Sequence, residues 1–413
     1  MMSSQEVPQG YKKTKVGVIP LEWEVVKLDE VAKFYKGKGI SKAEISDKGI
    51  ECIRYGELYT KYNEKIENII SKTITSKDKL FLSEVNDILI PASGETAIDL
   101  ATASCVLKKD VGLGGDINII RSKLDGIFLS YYLNIVAKTK IASLAQGISV
   151  IHLYSSQLKN LYISKPPLKE QQKIAKILTT WDNAIFKQEK LIKAKEQLKK
   201  GLMQKLLSGE VRFDGFSGEW ENIRLGEITN FYLGLTYTPT YVKKGVPFLS
   251  VKDINGGNIS FENIKYISNE EFEHCTNNSK PKKGDILFGR VGTLGNPIII
   301  ETDNPFCIFV SLGFLRVNSD IYNGFVKYWM SSSLFKKQVE SQVAGSSQKN
   351  LNVGWLKKFK LKLPPLQEQQ KIAQVLSTAD KEIELLKNEL ESLKEQKKGL
   401  MQRLLTGEVR VEV

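Results

Sequence analysis

The feature that most constrains this 413-residue chain is an internal repeat, in which one long segment occurs twice, 198 residues apart. Residues 166–212 and 364–410 are identical at 25 of 47 positions without a gap. Each copy opens with PPL-x-EQQ-KIA and closes with GLMQ, two leucines and GEVR. A different module of about 150 residues precedes each copy, so the sequence predicts a protein built from two similar halves.

The repeated segments have the spacing of long amphipathic helices. In the second copy, apolar residues alternate at intervals of four and three from Ile372 to Leu404, and only Lys397 interrupts them. That spacing is typical of a coiled coil. In the same register, the first copy has a more polar middle. Each helix should span about 60 Å at 1.5 Å per residue, and Gly209 and Gly407 are suited to end them.

The two modules also resemble each other, more faintly than the helices do. Each begins with a Trp-Glu stretch at Trp23 or Trp220, and each contains Asp-Ile-Leu. Short apolar runs alternate with glycine-rich turn signals, which indicates α+β or β-rich structure, and of these we expect α+β. The expected domains are 1–165 and 213–363, two similar globular domains, and 166–212 and 364–413, two helical spacers.

We expect the two helices to pack against each other as an antiparallel coiled coil, which would make the molecule pseudo-two-fold symmetric. The alternative is that each helix forms the core of its own domain. The middles of the helices have diverged while both ends are alike, which a shared partner docking at two equivalent places would explain. The ends could equally serve only to turn the chain into the modules.

The composition narrows the class of function. A net charge of +13 and a pI near 9.2 indicate a polyanionic partner such as nucleic acid, although a solvated lysine surface would give the same charge. Two histidines and four dispersed cysteines argue against a metal site, a catalytic dyad or a disulfide framework. No Walker, GxSxG or HExxH motif occurs. We therefore expect no catalytic residue, no metal and no cofactor on this chain.

The sequence also bears on location. It contains no run of eighteen apolar residues and no apolar segment near its N-terminus. Unpaired cysteines are typical of reduced, cytosolic proteins. We therefore expect a cytoplasmic protein that does not contact membranes.

On its motifs the chain resembles the specificity (S) subunit of type I restriction–modification systems. The resemblance rests on GYKKTKVGVIPLEWEVVKL, on GSSQKNLNVGWLKKFKLKLPPLQEQQKIA and on both GEVR closures, and it covers nearly the whole chain. It implies that each module is a target recognition domain for one half of a split double-stranded DNA sequence, and that the helices set the spacer. It also implies a non-catalytic chain that recruits two modification (methyltransferase) subunits, which bind S-adenosylmethionine and methylate adenine. Restriction/translocase subunits can join such a complex.

Specific DNA reading requires polar and basic side chains at base edges and phosphates, and glycine-rich loops are the natural carriers. The candidate DNA-binding residues are Lys36, Lys38, Arg54, Tyr55, Ser93 and Ser149 in the first module, and Lys243, Lys252, Arg290, Ser346, Ser347 and Lys349 in the second. The candidate partner-binding residues lie at the helix starts: Glu170, Gln171, Gln172, Glu368, Gln369 and Gln370. For each DNA candidate, a plain solvated role is the competing interpretation.

Two other functions compete with this one. A self-sufficient DNA-modifying enzyme would need a cofactor loop and a catalytic motif, and the sequence has neither. A coiled-coil protein that bridges DNA non-specifically would bind all duplexes equally, with salt dependence as its main property.

Overall fold

A computed structural model describes residues 7–255, 257–276, 279–343 and 350–412. The chain forms two compact units. The first comprises Met1–Gln188 with Glu389–Val413, and the second comprises Glu189–Asn388. Each unit therefore contains one module, the start of one long helix and the end of the other.

The first module is α+β. Its strands β1–β16 are Tyr11–Thr14, Gly17–Pro20, Glu24–Lys27, Ala32–Lys36, Ile45–Ser46, Ile50–Ile53, Lys65–Ile66, Ser71–Thr73, Phe81–Leu82, Asp87–Pro91, Ser93–Gly94, Ser104–Val106, Gly112–Leu113, Ile117–Ser122, Ile151–His152 and Tyr162–Lys165. Its helices α1–α6 are Leu28–Val31, Tyr55–Thr60, Ala97–Leu100, Gly126–Ile135, Lys138–Leu144 and Ser155–Leu158, and 3₁₀ turns cover Lys42–Glu44 and Lys77–Lys79. The long helix α7 covers Leu168–Ser208.

The second module repeats this plan with fewer strands in its described part. Strands β17–β27 are Glu221–Arg224, Thr229–Leu233, Val246–Leu249, Ile254–Asn255, Asn258–Ile259, Lys265–Ile267, Ile286–Gly289, Gly295–Ile299, Cys307–Ile308, Leu312–Val317 and Lys360–Leu363. Helices α8–α12 are Leu225–Ile228, Asn269–Thr276, Asn323–Ser331, Ser333–Val343 and Val353–Leu356, and a 3₁₀ turn covers Val251–Asp253. The long helix α13 covers Leu366–Thr406.

The sheets of the two modules correspond in their central strands. The first module has the five-stranded orders β4-β14-β10-β12-β7 and β5-β8-β6-β13-β9, and the second has β18-β26-β23-β24 and β22-β19-β25. In each, an edge strand, the long strand beside it and the Asp-Ile-Leu strand pair in antiparallel fashion. Parallel pairing joins β6 to β13 and β19 to β25. The predicted similarity of the modules is confirmed.

The repeated Asp-Ile-Leu has a structural purpose in both modules. Asp87 is buried and accepts hydrogen bonds from Nε and Nη2 of Arg121, both at 2.8 Å. Asp285 is likewise buried and accepts the same pair of bonds from Arg316, at 2.8 and 2.7 Å. This bidentate geometry is the strong form of a carboxylate–arginine bond, and it holds the long strand against its neighbour in each module.

The helices are where the sequence predicted them. Both are 41 residues long, and both end at a glycine with a left-handed backbone, φ +76° at Gly209 and +75° at Gly407. In the first unit, Ile174 and Leu178 of α7 share one core with Leu404 and Leu405 of α13. Neither helix is thus the core of a domain by itself. In the described part of the chain, no helix is long and apolar enough to cross a membrane.

Candidate nucleic-acid interface

At the start of α7, a buried carboxylate ties the first unit together. Glu170 is 1% exposed and accepts hydrogen bonds from Nε1 of Trp23 at 3.0 Å and from Nε and Nη2 of Arg410 at 2.7 and 3.0 Å. Arg410 also donates to Glu22 at 2.6 Å. The two carboxylates raise the pKa of Arg410 above its ordinary value, so the guanidinium remains charged.

The second unit builds the same network from the other copies of the same motifs. Glu368 is fully buried and accepts hydrogen bonds from Nε1 of Trp220 at 3.0 Å and from Nε and Nη2 of Arg212 at 2.9 and 2.7 Å. In both units the EQQ start of one repeat meets the GEVR end of the other repeat. Because the start of each helix lies beside the end of the other within a unit, the helices run antiparallel there.

The glutamines that follow these carboxylates fix the entry into the helix. Gln171 accepts the backbone N–H of Asp125 at 2.9 Å and donates to the carbonyl of Pro166 at 2.8 Å. Gln369 accepts the N–H of Tyr322 and donates to the carbonyl of Pro364, both at 2.9 Å. Both side chains are buried.

These contacts decide which predicted partner-binding residues are available to a partner. Four of the six are buried and bonded within their own unit: Glu170, Gln171, Glu368 and Gln369. In this structure their side chains bond where the chain turns between module and helix, and their contact with a partner stays a prediction. The exposed residues of the set are Gln172 and Gln370.

A second pair of networks joins each helix pair farther along. Asp182 accepts hydrogen bonds from Tyr131 and Lys397 in the first unit, and Asp380 accepts them from Tyr328 and Lys199 in the second. Lys397, which interrupts the apolar seam in the sequence, is therefore paired. A polar group inside a helix interface specifies register at a cost in stability, so these two triads fix how the helices align in each unit.

The predicted DNA-binding loops of the first module converge on one surface. Lys38 N–H bonds to the carbonyl of Leu113 at 3.0 Å, and Gly114 N–H bonds to that of Ile53 at 2.8 Å. Ala92 N–H bonds to the carbonyl of Asp116 at 2.7 Å. We call the segments 36–39, 54–56, 92–94, 113–116 and 146–153 the first loop face.

Gly37 shows how closely these loops pack. A Cβ on Gly37 would lie 1.9 Å from the carbonyl oxygen of Gly114. Such a contact is impossible without moving the backbone, so the glycines of KGKG and GLGG permit the loops to meet. The sequence singled out both glycine-rich turns, and their contact fixes the backbone that carries Lys36 and Lys38.

The first loop face presents most of its candidate residues to solvent. Lys36 is 70% exposed and lies 3.8 Å from a carboxylate oxygen of Asp116, and Lys38, Tyr55 and Ser149 are exposed as well. Arg54 is half-buried and lies 3.2 Å from Glu57. Ser93 is buried in the short strand β11, which pairs with β15. Four of the six therefore lie where DNA could reach them.

The second module forms an equivalent surface. Arg290 N–H and Val291 N–H bond to the carbonyl of Ser311, and Val251 N–H bonds to the Ser311 hydroxyl oxygen at 3.1 Å. Leu351 N–H bonds to the carbonyl of Arg290 at 2.8 Å. We call the segments 233–235, 250–253, 289–291, 308–312 and 350–351 the second loop face.

The candidates of the second module are distributed differently. Lys252 is exposed on the second loop face, and Lys243 is exposed on the chain before β19. Arg290 is 7% exposed, and its side chain bonds to backbone carbonyls. The remaining three, Ser346, Ser347 and Lys349, lie outside the described residues.

Sequence reasoning missed several residues of these sites. Trp23, Trp220, Arg212 and Arg410 complete the networks at the helix starts, and their recurrence at intervals of 197 or 198 residues was the available signal. Ile148, beside the candidate Ser149, is 98% exposed, although its hydrophobicity alone predicts a buried residue. Among the described residues, no group of three or more His, Cys, Asp or Glu side chains is placed to hold a metal.

Comparison with known proteins identifies a family that matches both halves of this chain. The family model described as the type I restriction modification DNA specificity domain matches twice, at residues 20–197 and 217–395. The MjaVIII specificity subunit of a type I restriction enzyme from Methanocaldococcus jannaschii is 28% identical over 412 residues, covering 95% of this chain and 94% of the relative.

Two solved structures share the fold. The S subunit of a type I restriction–modification system from M. genitalium matches with a TM-score of 0.60 and 21% identity, over 93% of this chain and 96% of that one. The HsdS subunit from Thermoanaerobacter tengcongensis matches with a TM-score of 0.51 and 17% identity, over 95% and 98%.

Proposed function

Because this chain belongs to the type I restriction–modification DNA specificity family, we propose that its two modules read the two halves of a split DNA sequence and that the chain recruits modification subunits to that sequence. As a specificity subunit it is not the catalytic component. The methyltransferase subunits would bring S-adenosylmethionine and methylate adenine, and restriction subunits could join them.

The observation that carries this proposal is the contrast between framework and loops. Both modules hold the same long strand by the same bidentate carboxylate–arginine bond. Their loop faces carry different side chains: Lys36 occupies the end of the edge strand in the first module, and Leu233 occupies that place in the second. One framework with two different loop surfaces is what two readers of different half-sites require.

Charge supports DNA as the target. Outside the two helical segments, the chain carries a net charge of about +8. Exposed lysines on the first loop face and at Lys243 and Lys252 are suited to phosphates, since phosphate contacts position a protein on the duplex while groove contacts read sequence. We propose these lysines as phosphate contacts and Tyr55 and Ser149 as groove contacts.

The exposed Gln172 and Gln370 are our candidates for contact with the modification subunits. They follow the buried Glu-Gln pairs by one residue, so the internal networks hold the backbone that presents them. Equivalent positions in the two units would accommodate two copies of one partner.

The direct test is to sequence the methylome of a host that lacks adenine methylation and expresses this chain with the modification subunit encoded beside it. We expect one split motif, methylated at adenine on both strands. An assembled complex that methylates nothing, while the chain binds all duplexes equally, would contradict the proposal and favour a non-specific DNA-bridging protein.

A further inference from the structure

The last loop of each module is anchored to the sheet by the same backbone hydrogen bond. Leu153 N–H bonds to the carbonyl of Ala92 at 3.0 Å in the first module, and Leu351 N–H bonds to the carbonyl of Arg290 at 2.8 Å in the second. Leu351 follows Leu153 by 198 residues, and Arg290 follows Ala92 by the same interval. Leu153 and Leu351 are fully buried, so they are equivalent anchors for the chain that leads back to the long helix.

The carbonyl of this anchoring leucine must also be satisfied, because a buried acceptor without a donor is costly. In the first module, Nδ2 of Asn118 donates to the Leu153 carbonyl at 2.9 Å. In the second, Nε of Arg290 donates to the Leu351 carbonyl at 3.2 Å. The equivalent backbone oxygen is thus bonded by a side chain of strand β14 in the first module and by the residue that follows strand β23 in the second.

The strand pairing shows that the two donor side chains occupy different positions in the two modules. Asn118 pairs with Ile90 across the sheet, and Gly313 pairs with Phe288 at the equivalent place. The first module therefore combines Ala92 with Asn118, and the second combines Arg290 with Gly313. In the first module the donor is the second residue of the pair, Asn118, and in the second module it is the first residue, Arg290. The other residue of each pair is small.

Steric contact prevents the second module from containing both donor side chains at once. A Cβ on Gly313 would lie 2.8 Å from Cδ of Arg290, closer than carbon atoms can approach without a shift. An asparagine at position 313 is therefore incompatible with the present position of Arg290. Conversely, Ala92 has no side-chain donor, and in the first module the bond comes from Asn118.

Arg290 also connects other parts of the second loop face. Its Nη1 donates to the carbonyl of Val310 at 3.3 Å, and its backbone N–H donates to the carbonyl of Ser311 at 2.8 Å. Ser311 in turn accepts the N–H of Val251, next to Lys252. Burial lowers the pKa of Arg290 from its ordinary value, as expected for a cation whose bonds go to neutral carbonyls.

We propose that Arg290 is a positioning residue for the second loop face and not a DNA contact, and that Asn118 has the same role in the first module. This inference rests on the proposed function, in which the second loop face contacts DNA. Recognition by the second module then depends on the pair Arg290–Gly313, which the pair Ala92–Asn118 could replace.

The test introduces the alanine and asparagine of the first module at the equivalent positions of the second. We would compare Arg290→Ala, the double variant Arg290→Ala with Gly313→Asn, and Lys252→Ala as a control for a phosphate contact. A triple variant adds Phe288→Ile to the double variant, as in the first module, because a Cβ at position 313 would lie 3.1 Å from Cζ of Phe288. The assays are thermal unfolding of the full chain, and salt-dependent binding to a duplex carrying the motif that the wild-type complex methylates.

We expect Arg290→Ala to weaken binding about tenfold, mainly because the buried carbonyl of Leu351 loses its side-chain donor, with an unchanged salt slope. The transplanted asparagine should restore binding to within about threefold, because one hydrogen bond replaces the other. Lys252→Ala should instead reduce the salt slope by about one. In methylome sequencing, Arg290→Ala should relax only the half-site of the second module.

The proposal is overturned if both asparagine variants, folded as wild type, bind as weakly as Arg290→Ala. It is also overturned if Arg290→Ala itself lowers the salt slope by about one, since that change identifies a phosphate contact. If the wild-type complex selects no sequence, the proposed function fails separately. The thermal assay then decides alone. A melting temperature restored in either asparagine variant supports the positioning role of Arg290. A melting temperature that stays as low as that of Arg290→Ala in both variants contradicts it.

Discussion

The two units differ most on their loop faces and least where module meets helix. At the helix starts, Glu170 and Glu368 receive the same three hydrogen bonds from a tryptophan and an arginine. On the loop faces, the equivalent anchoring carbonyls are bonded by Asn118 in one module and by Arg290 in the other. The difference indicates that the junctions are framework and that the loops can vary as long as each buried polar group keeps a partner.

The largest expected effect comes from breaking the junctions. Glu368→Ala should lower the free energy of unfolding by about 2–3 kcal/mol, because the buried bonds of Trp220 and Arg212 lose their acceptor. Glu170→Ala should have a similar effect in the first unit. Chemical denaturation would measure both, with the exposed Gln370→Ala and Gln172→Ala as matched controls. A large effect in one unit alone would contradict their equivalence.

Loss of one lysine from a register triad should cost less. Lys199→Met should destabilise the second unit by about 1–2 kcal/mol, because Asp380 then keeps only its bond from Tyr328. Replacing Lys199 and Asp380 together by Met and Leu should recover that stability. The equivalent pair is Lys397 and Asp182, and denaturation of both sets would show whether the triads serve register alone. If the double replacement is as unstable as the single one, the triad contributes to stability itself.

The end of the edge strand differs between the two loop faces, with the exposed Lys36 in the first module and Leu233 in the second. Lys36→Ala combined with Lys38→Ala should weaken DNA binding across all sequences and reduce the salt slope by about two, since each lost phosphate contact removes about one counterion. Fluorescence anisotropy at several salt concentrations would measure this. Leu233 occupies the place of Lys36 in the second module, so Leu233→Ala is the matched control and should leave the slope unchanged. An unaltered slope in the double lysine variant would remove this surface from the interface.

The smallest effect is expected at the exposed glutamines. Gln172→Ala or Gln370→Ala should weaken assembly with the modification subunit a few-fold, about 1 kcal/mol for one exposed hydrogen bond, and should not change stability. Analytical ultracentrifugation of the mixed subunits would measure the assembly. If assembly is unaffected even when both are changed, the partner docks elsewhere.

Much of this architecture could be predicted from sequence, for physical reasons. The repeat, the heptad spacing and the terminal glycines predict the two long helices, because helix periodicity and capping are local properties. The Trp-Glu and Asp-Ile-Leu echoes predict that the modules share a fold. Those local signals remain visible whichever residues the loops carry.

The sites were harder to predict, because burial depends on tertiary contacts. Glu170 and Gln171 are polar and open a helix, which suggests a surface role, yet both are buried by residues far along the chain. Arg290 was predicted as a DNA contact from its place in a glycine-rich loop, a pattern that does not show its two bonds to backbone carbonyls. Lys397 appeared to break the seam, and its partner Asp182 lies 215 residues away.

The central claim is that each module reads one half of the target independently. The most direct measurement is the methylome of a chain in which residues 214–363 are exchanged for the same module of a relative. The account predicts that one half of the methylated motif changes, while the other half and the spacing between them stay the same. A motif that changes in both halves, or in neither, would contradict it.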